Sequence, residues 1–136
     1  MEAPPIPITP TDFNSLENDN ENKIVKKEYN IEINNEKYNF MIIKDSKLIN
    51  LKIYKLNNIE FIYYENKFNL KDINNILKRN SNICNNLEEV IDLIDSAYKN
   101  KKLIIYYNND NIMNIKIKYQ IVFKERECIL ELYKKR

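Results

Sequence analysis

The sequence predicts a mainly β (α+β) domain: a seven-stranded antiparallel β-sandwich or flattened barrel, with a helix-turn-helix inserted between strands 4 and 5. Three observations carry this. Apolar residues alternate with polar ones on both sides of the stretch Phe68–Asn100. Inside that stretch the period changes to about 3.6 residues. Short polar clusters rich in Asn and Asp separate the alternating runs at regular intervals. A chain of 136 residues makes one domain, and 43% apolar with 31% charged residues is the balance of a soluble globular protein.

Residues 1–27 read as a disordered, proline-rich, acidic tail, and 28–136 as a single β-sandwich head-like domain. PPIPITP (4–10) favours an extended, polyproline-like backbone. The polar FNSLENDNENK that follows has too little apolar surface to offset chain entropy. Within the tail, Ile6, Ile8 and Phe13 form a candidate linear motif for a partner's groove.

The elements then follow in order. EYNIEIN alternates through Tyr29, Ile31 and Ile33, and KYNFMIIK through Tyr38, Phe40 and Ile42. NNE at 34–36 joins them as a hairpin, because Asn tolerates positive φ in a chain without Gly. DSK at 45–47 turns the chain into LINLKIYKL, where Ile49, Leu51 and Ile53 share a face. After a turn at Asn57-Asn58, IEFIYYENKF carries apolar side chains on both faces, as a strand covered on both sides by the helices would. Leu70, Ile73, Ile76 and Leu77 mark a short helix capped by Asn69. RNSNICNN breaks it. Leu87, Val90, Ile91, Ile94 and Tyr98 make the stripe of a second helix, with Asn86 and Glu89 spaced as a near capping box. Three strands close the chain: KLIIYYNND, the long NIMNIKIKYQIVF and CILELYK, with KERE at 124–127 as the last turn.

Composition excludes much chemistry. The chain has no His and no Gly, so it holds no His-based triad or metal site, no P-loop and no dinucleotide fingerprint. Cys84 and Cys128 are too far apart in sequence to suggest a zinc site, and no His can serve Cys84 as a base. Asp92 and Asp95 read as the solvated face of the second helix. No enzyme activity and no cofactor are expected. No apolar run approaches a membrane span, and the opening residues do not read as a signal peptide, so the expected setting is cytoplasmic, with cytoskeletal association one option. The excess of Asn, Ile, Lys and Tyr is that of an AT-rich genome.

Nucleic-acid binding is an alternative. The net charge is +2, yet Met1 through Asn22 carry no Lys or Arg, so the folded part is basic. It places Tyr63-Tyr64 and Tyr106-Tyr107 beside lysines, residues able to stack bases on a sheet. The acidic second helix is not a DNA-reading helix.

Strands, a helix-turn-helix, then three strands: this order over about residues 28–134 resembles the head domain shared by the centriolar cartwheel protein (the spindle assembly abnormal family) and the end-joining repair scaffolds. The most specific part is Val122-Phe123-Lys124, at the place where the cartwheel protein presents a Phe and a Lys to a neighbour's pocket. The resemblance implies that Phe123, flanked by Val122 and Lys124, is the knob of a head-to-head contact. It further implies a receiving pocket lined from the helical insert, assigned by position to Ile73, Leu77 and Ile83. Without the resemblance, Phe123 reads as a residue closing the end of the sandwich. Two features depart from these families: no heptads follow before Arg136, and the proline-rich tail has no counterpart. The leading expectation is a non-catalytic interaction or self-assembly module of a cytoskeletal, centriolar-type or other scaffold complex, with a protein or a second copy as partner. A small accessory subunit tethered by its tail is the other alternative.

Overall fold

The structure is a computed structural model that describes residues 24–57, 61–77, 84–121 and 123–135. Seven antiparallel strands form one curled, half-barrel sheet: β1 (Val25–Ile33), β2 (Glu36–Lys44), β3 (Ile49–Lys55), β4 (Tyr63–Phe68), β5 (Leu103–Asn109), β6 (Ile112–Ile121) and β7 (Lys124–Lys135). Two helices, α1 (Leu70–Leu77) and α2 (Leu87–Lys99), lie between β4 and β5 as the sequence predicts. The order across the sheet is β1-β2-β3-β4-β7-β6-β5. Because β7 pairs with β4, the ladder is continuous, and the sheet curls rather than stacking as two.

Local chemistry explains the turns. Ile33 pairs with Glu36, leaving Asn34 (φ 53°) and Asn35 (φ 67°) as a two-residue turn with both residues left-handed, the geometry that matches strand twist. Asp45 closes the next turn by accepting the amides of Lys47 and Leu48 at 2.8 Å through one carboxylate oxygen. Both helices begin on reciprocal caps. Asn69 Oδ1 accepts from Asp72 N at 2.7 Å while Asp72 accepts from Asn69 N. Asn86 Oδ1 accepts from Glu89 N at 2.9 Å, and the Glu89 carboxylate reaches back to Asn85 N.

The concave face of the sheet holds the core. Phe40, Ile42, Leu51, Ile53, Met113 and Ile115 are wholly buried there. Helix α2 lies across this face with Val90, Ile91 and Ile94 turned inward. Each fully buried side chain of this size contributes about 1.5–3 kcal/mol. Polar groups secure the insert as well. Buried Asn74 of α1 donates to Cys84 O and accepts from Cys84 N, both at 2.9 Å, so it fixes the backbone that leads into α2.

Four expectations are corrected. The first strand starts at Val25, inside the stretch read as tail; residues 1–23, with Ile6, Ile8 and Phe13, lie outside the described residues. The fourth strand is shorter than its sequence pattern and is not covered on both sides: Tyr64 is buried, but Phe61 is 79% exposed on the outer side. KERE is not a turn, since Lys124–Glu127 pair with Lys118–Ile121 as the first residues of β7. Four consecutive charges are stable in a ladder here because all four side chains are exposed, while the inner face of this stretch is covered from β6 by the buried Tyr119. Asp95 is not simply solvated either. It accepts from Tyr29 Oη at 2.6 Å and pairs with Lys99 at 2.9 Å, binding α2 to the edge strand β1.

Candidate functional site

The β6–β7 hairpin is the longest in the fold, and its register runs without a break from Ile112 opposite Tyr133 to Ile121 opposite Lys124. That register leaves a two-residue connection, and Phe123 stands in it with 94% of its surface exposed. Below the tip the hairpin is braced on both sides. Tyr119 Oη donates to the carbonyl of Leu77 at the end of α1, in a buried position. Lys102 reaches Glu125 at 3.0 Å, which holds that carboxyl below its ordinary range. An aromatic ring with no core contact is thus carried on a stiff two-stranded arm.

The residues assigned to its receiving pocket are distributed otherwise. Ile73 (2% exposed) and Leu77 (5%) belong to the core, filled in by the sheet, and so present no open surface. The end of α1 does sit beside the hairpin base, through the Leu77 carbonyl. Val122 and Ile83 lie outside the described residues, and Lys124 is exposed at the first position of β7.

The paired tyrosines split between faces, as strand alternation requires. Tyr38 and Tyr107 bond through their hydroxyls at 2.9 Å, and the Tyr64 ring packs edge-on against Tyr107 at 5.6 Å. This cluster joins β2 and β4 to the far strand β5 and closes one end of the half-barrel. Burial pushes the Tyr64 hydroxyl up to about 12, with Tyr107 beside it adding to the shift, and burial also raises Tyr107. Tyr38 and Tyr64 are buried, whereas Tyr107 keeps 38% of its surface exposed. Tyr63 points outward, under the Lys52 ammonium at 4.3 Å.

Both cysteines are buried thiols; burial raises Cys84 and pushes Cys128 up to about 12, far from thiolate reactivity. Among the described residues no group of three or more Cys, Asp or Glu could hold a metal ion, and no helix is long and apolar enough to cross a membrane.

The architecture that presents Phe123 recurs in a solved structure. The head domain of human CCDC61 superposes with a TM-score of 0.61, covering 82% of this chain and 97% of that one, at 9% sequence identity. The fold is similar to that of this domain. No family model matches the chain, and no curated protein does. The likeness to this head domain is therefore one of architecture, in agreement with the element order seen in the sequence.

One feature of this chain escaped sequence reasoning. The outer face of β2, β3 and β4 carries an apolar groove of about 910 Å³. Met41, Tyr54 and Tyr63 come from the strands, and Leu56, Phe61 and Ile62 from the β3–β4 connection. Phe61 holds a left-handed backbone (φ 58°), costly for an aromatic residue by about 1–2 kcal/mol. The available signal was the doubled apolar pattern of FIYY, which reads as a covered strand, whereas its first three residues line a groove and Tyr64 joins the core.

Proposed function

We propose that this chain is a non-catalytic protein–protein interaction module that associates through the β6–β7 hairpin tip, in a scaffold assembly of the cytoskeletal or centriolar type. The observation that carries this reading is Phe123, 94% exposed on a braced hairpin. A lone aromatic held away from its own core is the kind of residue that becomes an interface anchor, since burying it in a partner gains area at little ordering cost. The likeness in fold to a head domain supports the same reading. The partner is a second copy of the chain, met tip to tip, with Val122 and Lys124 flanking the contact.

Sedimentation velocity over a wide concentration range tests it. The wild-type chain is expected to associate as concentration rises, and Phe123→Glu to remain monomeric. Identical, purely monomeric behaviour of both would remove the proposal.

A further inference from the structure

The groove on the outer face of β2–β4 sits at the other end of the molecule from Phe123, so its occupant is a separate question. Tyr63, at the groove, pairs with Lys135, whereas Phe123 precedes the opposite end of the same strand β7. Its lining has three chemical properties. It is aromatic, through Tyr54, Phe61 and Tyr63; otherwise mostly apolar; and positive at Lys52, the charge of Lys55 being met by Glu36. Lys52 lies over the Tyr63 ring, and Lys55 pairs with Glu36 at the rim. No Asp or Glu is among the described lining residues.

One segment of this chain matches all three. All four prolines of the protein fall in PPIPITP, residues 4–10, with Ile6 and Ile8 between them. Aromatic-lined grooves take proline-rich segments because the polyproline backbone is preformed and its ring faces pack flat on aromatic side chains. Glu2 and Asp12 flank the segment, and no Lys or Arg occurs before Lys23, which complements Lys52. We propose that the groove holds residues 4–10 of its own chain, with Ile6 and Ile8 set against Tyr54 and Tyr63.

The tether permits it. Val25 pairs with Lys44, three rungs from the Met41–Lys52 rung and two strands away, which is ~14 Å at ordinary strand rise and spacing. The residues between Pro10 and Val25 span ~20 Å as a coil and much more when extended. Tethering at this length gives an effective concentration of the order of millimolar, so a contact too weak to detect between separate molecules is filled within one.

The test uses the full chain, isotopically labelled for NMR. Replacing Ile6 and Ile8 together by Asp is expected to move the amide resonances of Met41, Tyr54 and Tyr63, and to leave those of Ile104 and Ile129, on the other half of the sheet, in place. Tyr54→Ser is expected to bring the amides of Ile6, Ile8 and Thr9 to the positions of a synthetic peptide of residues 1–16. Lys52→Glu, which leaves the aromatic floor intact, is expected to do so partway. Groove resonances indifferent to the Ile6/Ile8 change overturn the proposal, and so do segment resonances that coincide with the free peptide in the wild-type chain. Groove shifts that follow Phe123→Glu or dilution instead would assign the groove to a second copy. Shifts on adding oligouridylate, with none from the Ile6/Ile8 change, would assign it to single-stranded nucleic acid. Either result also overturns the proposal.

Discussion

Two charged residues decide how α2 holds the sheet. Lys44 is a core lysine, 2% exposed, whose ammonium meets the Glu88 carboxylate at 2.9 Å. Asp95 meets the Tyr29 hydroxyl and the ammonium groups of Lys99 and Lys27. Both carboxyls titrate below their ordinary range, Glu88 because Lys44 bonds it and Asp95 because Tyr29 and then Lys99 do. A carboxyl depressed in the folded state adds stability that is complete above its unfolded value, about 4, and is lost as pH falls through the lower folded value. The urea midpoint of the wild-type chain is therefore expected to fall steeply below about pH 4. Asp95→Asn and Glu88→Gln should each flatten that fall; curves parallel to wild type would show that these contacts do not carry the dependence. At neutral pH, Glu88→Ala is expected to cost about 1–2 kcal/mol, screened because Glu88 is half exposed, and Lys44→Met less, since it removes the buried charge and leaves only the half-exposed Glu88 carboxylate, which water solvates. Neither role was legible in sequence. A lysine closing an alternating strand and an aspartate on a helix's polar face look solvated until the element that covers them is placed.

Elements were the most legible scale, because each carries its own signal. Asn86 and Glu89 announced α2 three residues apart, and the structure joins them as that spacing requires. Asn34-Asn35 announced a left-handed turn by the same kind of local logic. KERE misled because charge runs report solvent, not backbone state, and four exposed side chains on a strand read like four in a loop. What no single element could report is contact between elements, and the Tyr38–Tyr107–Tyr64 cluster is the clearest case. Two of its hydroxyls ionise at higher pH in the folded chain than in the unfolded one, Tyr64 at about 12 and Tyr107 also raised. Such groups stabilise fully below the unfolded value of about 10, and the stability is lost as pH rises through the folded values. Absorbance at the tyrosinate band is expected to show a late-titrating class in the folded chain that merges with the rest in urea. Tyr107→Phe, which removes a titrating hydroxyl together with its bond, is expected to lower stability at neutral pH and to flatten the loss above about pH 10; a loss parallel to wild type would mean that Tyr107 does not carry the dependence.

At the scale of the molecule, the order of elements showed the class of fold, since a helical pair among alternating strands has few ways to be covered. It did not show that the sheet is one curled surface, because the β4–β7 pairing joins segments far apart in sequence and leaves no periodic trace. The candidate site followed the same division. Phe123 at a hairpin end was visible as a motif, whereas the burial of Ile73 and Leu77 depended on the closure of the whole. Association through the tip should also separate from folding. Phe123→Glu is expected to leave the unfolding free energy within about 0.5 kcal/mol of wild type, because the ring is 94% exposed, while abolishing self-association. A large loss of stability would place Phe123 in the fold rather than at its surface.

The β4–β7 pairing has a mechanical side. The ladder there has three rungs, Tyr63 with Lys135, Tyr64 with Lys134 and Glu65 with Tyr133, whereas β6 and β7 pair along nearly their whole length. A short seam between two well-paired panels is a fold line. Helix α1 is the one that packs against β4 and β7, whereas helix α2 bridges the two panels, fastened to β1 and β2 through Asp95 and Lys44 and packed on β5 and β6. The helix therefore acts as a splint. Force entering at the hairpin tip travels along β6 and β7 and would flex the sheet at the seam, unless α2 transfers it to the first panel. The charged contacts of α2 thus make the arm that carries Phe123 stiff relative to the whole body, not only to its own hairpin.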